Sequence, residues 1–359
     1  MRMLFRCDSS LQLGAGHAMR CMTLAHALEQ QGVQTRFLCR EHPGYLGHVL
    51  ENNNVDLVLL PATLETDLGA NEEQDAAETR TAASDWGADW IIVDHYCASA
   101  AWEAAQALPV MAIDDAPNRD HNVALFLDQN LDAKASDYRP RLPAGATILV
   151  GPKYAMLRPE FAKLRPDSLE HRAQTAGQVQ RLLISMGGTD MLDATGWVLD
   201  ALATRIDPDV LAALEITVVM GPTAPHLESV RQRASALPGR VTVLAGTDRM
   251  ADLMVSADLA IGAAGSSAWE RCALGLPAIM VVLADNQKVI AKALSDCGAN
   301  GHVDLHDTEA LITMLENLYH TPQTVLQMSQ ISAGICDGHG AQKVADALLA
   351  HSAAYGASL

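Results

Sequence analysis

The sequence predicts an α/β protein of two doubly wound parallel-sheet domains facing each other across a cleft. Three observations predict it. Short apolar runs alternate with longer amphipathic ones, the order expected of a parallel sheet with helices on both faces. The alternation stops near residue 157 and restarts near residue 180. Glycine-rich, serine-rich or acidic clusters stand just after the apolar runs, where open α/β sheets bind their ligands.

In the first half, buried strands are expected at MLFR (3–6), QTRFLC (34–39), DLVLL (56–60), DWIIVD (89–94) and VMAID (110–114). Helices are expected over 18–31, 72–86 and 99–107. The N-terminal domain is placed at 1–165. The stretch LRPEFAKLRPDSLEHRAQTAGQ (157–178) is charged and proline-punctuated and reads as a linker. The C-terminal domain is placed at 178–359. Its strands are QRLLISM (180–186), EITVVM (215–220), RVTVLAG (240–246), DLAIG (258–262) and AIMVVL (278–283). Its helices fall at about 191–205, 225–237, 266–274, 287–296 and 307–319. A last helical stretch, 339–353, has no strand after it.

Composition narrows the function classes. Of 359 residues, 49% are apolar and 4% aromatic, so aliphatic side chains fill two cores. The net charge of −18 argues against nucleic acid or an anionic membrane as partner. It leaves a small anionic ligand open, because helix N-termini bind phosphate in proteins of any overall charge. The seven cysteines, Cys7, Cys21, Cys39, Cys97, Cys272, Cys297 and Cys336, form no Cys-x-x-Cys pair. They read as reduced thiols of a cytosolic protein, not as a disulfide frame or a zinc site. The opening MRMLFRCDSS lacks the apolar stretch of a signal peptide, and no run approaches the ~18 apolar residues of a membrane helix. A soluble cytoplasmic protein is expected.

Four clusters could carry chemistry. In FRCDSSLQLGAGHAMR (5–20) a strand leads through a small-residue loop to a helix that starts near His17. Glycines allow close backbone approach to a ligand, and the positive end of the helix dipole favours a neutral imidazole that can take a proton from water. A dinucleotide fingerprint would need a third glycine, where Met19 and Arg20 stand. His17 could equally cap or pack. In IIVDHYCAS (91–99) a buried strand runs into Asp94, His95 and Tyr96, which either line a cleft or cap the next helix. Asp114 and Asp115 of AIDDAP (112–117) read as caps.

ISMGGTD (184–190) resembles a phosphate cradle, with Gly187 and Gly188 exposing amides, Thr189 adding a hydroxyl and Asp190 capping the helix; a plain tight turn is the alternative. GAAGSSAWERCALGLPAIMV (262–281) places Ser266 and Ser267 at a helix start with Glu270 one turn in. Two hydroxyls suit a diphosphate, and a carboxylate there suits a ribose diol. The other possibility is a capped helix with a solvated glutamate. No metal site is expected, since Asp-x-Asp occurs only as DPD (207–209) and the thirteen histidines are scattered.

Taken together, FRCDSSLQLGAGHAMRC, IIVDHY, KASDYRP (134–140), GPKYAMLRPEF (151–161), ISMGGTD and SSAWERCALGLP resemble the UDP-2,4-diacetamido-2,4,6-trideoxy-β-L-altropyranose hydrolases of pseudaminic acid biosynthesis. The C-terminal motifs are shared more loosely with the lipid II-forming N-acetylglucosaminyl transferase. The resemblance implies the GT-B fold, two Rossmann-like domains, with the base on the first, UDP on the second, and the last helix packing back on the first. It implies hydrolysis of a UDP-sugar, with His17 as general base and Tyr96 and Asn286 positioning sugar and water. Gly187, Gly188, Thr189, Ser266 and Ser267 would hold the diphosphate and Glu270 the ribose. Gly16, Arg20, Asp94, His95 and Gln287 would lie near the sugar. The implied partner is a small UDP-sugar, with no metal or other cofactor, in a monomer or homodimer.

The chain departs from shorter family members by continuing past NQKVIAKAL (286–294) through 307–359. Two rival readings remain at this point: a GT-B glycosyltransferase using the same donor site, and a non-catalytic sugar-nucleotide binder. The N-terminal half shows no clear apolar and basic patch for a lipid acceptor.

Overall fold

The computed structural model describes residues 1–10, 16–42, 50, 55–63, 67–115 and 117–356, the side chains of Asn286 and residues 353–356 excepted. The chain divides into two compact units, Met1–Arg158 with His339–Leu359, and Pro159–Gly338. These boundaries differ from the sequence-based ones at both ends of the second unit.

The first unit holds seven parallel strands: β1 (Arg2–Cys7), β2 (Gln34–Glu41), β3 (Leu57–Pro61), β4 (Trp90–Asp94), β5 (Val110–Ile113), β6 (Leu125–Asp128) and β7 (Thr147–Val150). Their order is β3-β2-β1-β4-β5-β6-β7, so the winding reverses between β1 and β4. Residues 3–5 of β1 are fully buried because helices cover both faces, which is why the strand reads as one apolar run. Phe5 stacks on Phe37 of β2 at 4.9 Å.

Helix Gly16–Glu29 buries Ala18, Cys21, Leu24, Ala25 and Leu28, a stripe at helical spacing. Val344, Ala345 and Leu348 of the last helix, Gly340–Gly356, enter the same core. Gly340 is held there by lack of room: a Cβ on it would sit 2.1 Å from the Ala155 carbonyl oxygen. The last helix is therefore part of the first unit's core.

The second unit repeats the scheme with β8 (Arg181–Ser185), β9 (Glu215–Met220), β10 (Arg240–Ala245), β11 (Leu259–Ala263), β12 (Ala278–Val282) and β13 (Gly301–Asp304). The order β10-β9-β8-β11-β12-β13 reverses between β8 and β11. Strands β6, β7 and β13 were not anticipated from the sequence. Each has four residues, too few for periodicity to stand out.

The expected linker is mostly helix, Pro159–Thr175, and belongs to the second unit. Its buried face carries Phe161, Ser168 and Arg172, so no apolar stripe announces it. Arg165 donates to the carbonyls of Ala273, Ala333 and Cys336, and Arg172 to those of Met254 and Ala257. Polar side chains here satisfy carbonyls at the C-terminal ends of neighbouring helices.

Candidate active site

In the first unit the site residues gather where the winding reverses. Cys7, the last residue of β1, pairs in register with Asp94, the last of β4. Helix Gly16–Glu29 follows β1 and sets His17 and Arg20 three residues apart, one turn along the same face. His17 Nδ1 lies 2.6 Å from Asp94 Oδ1. Arg20 grips the same carboxylate, Nε to Oδ2 at 2.5 Å and Nη2 to Oδ1 at 2.6 Å, and its Nη2 lies 3.1 Å from His17 Nδ1. Cys21 Sγ stands 3.6 Å from Oδ2.

Burial alone would raise the Asp94 carboxyl, but Arg20 and His17 hold it well below the usual carboxylate range. An ionised carboxylate only accepts hydrogen bonds, so His17 Nδ1 carries the hydrogen and donates it to Asp94. Nε2 is left as the ring's proton acceptor. The same kind of pairing sets the tautomer of the base histidine in hydrolytic triads.

Tyr96 packs edge-on against the His17 ring, centroids 5.2 Å apart at 88°. Its hydroxyl donates to Asp115 Oδ2 at 3.1 Å. Desolvation and the Asp115 carboxylate push the phenol above its usual range, so it stays a donor. Tyr96 is 42% exposed and so can face a ligand. Gly16 is exposed, and a Cβ on it would meet nothing within 4 Å. Gly14 and Ala15 of the same loop lie outside the described residues.

Two expectations are corrected. Asp94 is buried against His17 and Arg20, its carboxylate bonded to both and not open to a sugar, and the next helix is capped by Ser99 instead. His95 turns inward: its Nδ1 accepts from the Cys97 amide and its Nε2 donates to the Asp67 carbonyl. Burial and the Arg6 charge lower its pKa to about 4, so it remains a neutral structural group. Asp114 and Asp115 are also not helix caps. Asp114 pairs with Arg119 at 2.7 Å and with buried His121 at 3.2 Å, while Asp115 takes the Tyr96 hydroxyl.

In the second unit two loops leave the neighbouring strands β8 and β11. Gly187 has φ +99°, which side chains other than glycine rarely adopt, and Gly187, Gly188 and Thr189 are all exposed. The Gly188 carbonyl accepts from the Gly221 amide, pinning the turn. Asp190 is buried and accepts the Ala194 and Thr195 amides at 2.9 Å each, capping helix Ala194–Arg205.

After β11, Ser266 is exposed and its side chain makes no capping bond, while Ser267 opens helix Ser267–Ala273, which also carries half-buried Glu270. Gln287 accepts the Leu283 amide through Oε1, and its Nε2 lies 3.9 Å from the position a Cβ on Gly265 would take. That places a fixed amide donor beside the serine turn. Asn286 lies in helix Asp285–Asp296, and its side chain is outside those described. Asp207 of DPD caps helix Pro208–Ala213 by accepting the Asp209 amide at 2.8 Å, an ordinary use for that sequence. Among the described residues no cluster of three or more His, Cys, Asp or Glu could hold a metal ion.

Residues 198–348 match the glycosyltransferase family 28 C-terminal domain. MurG of Acinetobacter baumannii superposes with TM-score 0.67 at 16% identity, over 96% of this chain and 98% of that one. The UDP-GlcNAc 2-epimerase of Neisseria meningitidis, solved with UDP-GlcNAc, gives 0.62 at 13% identity, over 97% and 100%. The fold is GT-B.

Among curated relatives, the spore coat polysaccharide biosynthesis protein SpsG of Bacillus subtilis is 28% identical over 61% of this chain and 63% of its own length. The UDP-2,4-diacetamido-2,4,6-trideoxy-β-L-altropyranose hydrolase of Campylobacter jejuni is 25% identical over 83% of this chain and 97% of its own. The resemblance read from the motifs holds.

Sequence reasoning named His17, Arg20 and Asp94 but missed how this GT-B chain uses them. The signal was present. The strand order of a doubly wound sheet puts the ends of its first and fourth strands side by side. An aspartate ending the fourth strand therefore stands under whatever opens the helix after the first. Asp115, the tyrosine's partner, lay hidden because AIDDAP also fits a helix start.

Proposed function

We propose that the protein hydrolyses UDP-2,4-diacetamido-2,4,6-trideoxy-β-L-altropyranose, releasing UDP and the free sugar. The observation that carries this reading is the His17–Asp94–Arg20 cluster at the end of β1 and β4. A histidine held by a buried carboxylate through Nδ1 is equipped to remove a proton at Nε2. In the reaction a water hydrogen passes to Nε2 while the water oxygen bonds to the anomeric carbon. The bond from that carbon to the β-phosphate oxygen breaks, and UDP leaves with the electron pair. The imidazolium formed is stabilised by Asp94 and then loses its proton to solvent.

A positioned general base contributes about 10²–10⁴-fold. Tyr96, beside the imidazole, and Asn286 position sugar and water, and Gln287 and Gly16 face the sugar. The exposed amides and hydroxyls of Gly187–Thr189 and of Ser266 and Ser267 hold the diphosphate, and Glu270 holds the ribose. Charge on the leaving diphosphate is met by fixed donors already in place. Turnover is expected to survive chelation by EDTA.

The second reading, a glycosyltransferase, is favoured by the family 28 domain match and the likeness to MurG. The two readings part in the absence of any acceptor. The hydrolase releases one UDP per free sugar at full rate in buffer alone. A transferase leaves the UDP-sugar essentially intact until an acceptor alcohol is supplied.

A further inference from the structure

Arg271, on helix Ser267–Ala273, is 2% exposed. Two other buried arginines have a carboxylate partner. Arg6 and Arg40 pair with Asp75 in the first unit. Arg172 sits on the last carbonyls of helix Met250–Ser256, the negative end of its dipole. Among the described residues Arg271 has no carboxylate at ion-pair distance; the Glu270 carboxylate, one position earlier, acts on it from farther away, and its Nε has no hydrogen-bond partner.

Its two terminal nitrogens are aimed at the turn after β11. Nη2 donates to the Ala263 carbonyl at 2.8 Å, and Nη1 donates to Ser267 Oγ at 3.2 Å. The space for the guanidinium is made by Gly262, where a Cβ would stand 2.9 Å from Nη1. Burial lowers this guanidinium below the ordinary arginine value, against the opposing effect of the Glu270 carboxylate.

We propose that Arg271 is a positioning residue for the leaving diphosphate: it supplies a buried positive charge beside the Gly265–Ser267 turn and directs the Ser267 hydroxyl hydrogen at a phosphate oxygen. The inference rests on the reading that this turn receives UDP. A serine hydroxyl has one hydrogen and two lone pairs. Donation from Arg271 occupies a lone pair, so the hydrogen points away from the arginine, and the same donation polarises the O–H bond. A buried cation in a low-dielectric interior acts strongly on an anion at its surface, and more strongly as charge grows on the departing diphosphate. Glu270, one position earlier, is the proposed ribose ligand, so consecutive residues of one helix serve the two ends of the nucleotide.

The test is calorimetric titration of the full-length protein with UDP and, separately, with uridine, which lacks the phosphates. For Arg271→Met the account expects UDP affinity to fall about tenfold or more while uridine affinity holds, the scale of one lost hydrogen bond to a charged group. Arg271→Lys should recover part of the loss. Ser267→Ala, which leaves the buried arginine in place, should weaken UDP by a similar factor and spare uridine. Unchanged UDP affinity in Arg271→Met or Ser267→Ala overturns the proposal. Equal loss of UDP and uridine also overturns it, because it marks a role in folding alone. If the wild type binds neither ligand, the assignment of the turn to UDP fails first and takes this inference with it.

Discussion

At the residue scale the account turns on a histidine that works only while its neighbours hold it. His17→Asn should leave UDP affinity within about twofold and reduce sugar release by about 10²-fold or more, measured as UDP formed per enzyme. Asp94→Asn should lower kcat by a similar factor with little change in KM, because the tautomer is lost and the loop is not. It should also destabilise the first unit by about 3 kcal/mol in urea unfolding, since the Arg20 guanidinium loses its partner.

A second histidine sets a pH dependence. Burial would lower the pKa of His121, but bonds to Asp114 and Glu103 raise it from 6.5 to about 9. Its folded value lies above its unfolded one, so the stability it adds is complete below about pH 6.5 and lost as pH rises to about 9. The urea midpoint should fall across that window by the equivalent of roughly 3 kcal/mol at most, and His121→Gln should flatten the slope. The residues at this scale were legible where a motif placed them after a strand. Their partners were not, because Asp94 stands 77 positions from His17 and meets it only through the strand order.

At the element scale the sequence announces strands that are long and buried and hides the elements that break pattern. Strand β4 reads plainly as WIIVD. Helix Pro159–Thr175 does not, because Pro166 interrupts it and its inward face uses Ser168 and Arg172. The two prolines that suggest a linker stand at the helix's first residue and within its first half, and the helix tolerates both. The last helix was read correctly as a helix, but its packing could not come from local pattern. Leu348 is fully buried with Ala18, Leu24 and Leu28 of the helix that carries His17. Leu348→Ala should therefore destabilise the first unit by about 2–5 kcal/mol. Urea unfolding followed by Trp90, buried in the same core, would report it.

At the scale of the whole molecule, two sheets with the same reversal of winding place ligand loops at equivalent points, after β1 and β4 in one unit and after β8 and β11 in the other. Repetition of one architecture was visible as the restart of the pattern near residue 180. The proposed division of labour between the units is visible only through motifs: a histidine in one, paired glycines and serines in the other. UDP alone should slow amide exchange at Gly187–Thr189 and Gly265–Ser267 of the second unit. Protection confined to the first unit would contradict that division.

The central claim is that water, activated by His17, attacks the sugar and not the phosphate. It is tested most directly by turning over UDP-2,4-diacetamido-2,4,6-trideoxy-β-L-altropyranose in ¹⁸O-water and weighing both products by mass spectrometry. The account predicts ¹⁸O in the free sugar and none in UDP. Label in UDP would show attack at phosphorus and contradict the role assigned to His17.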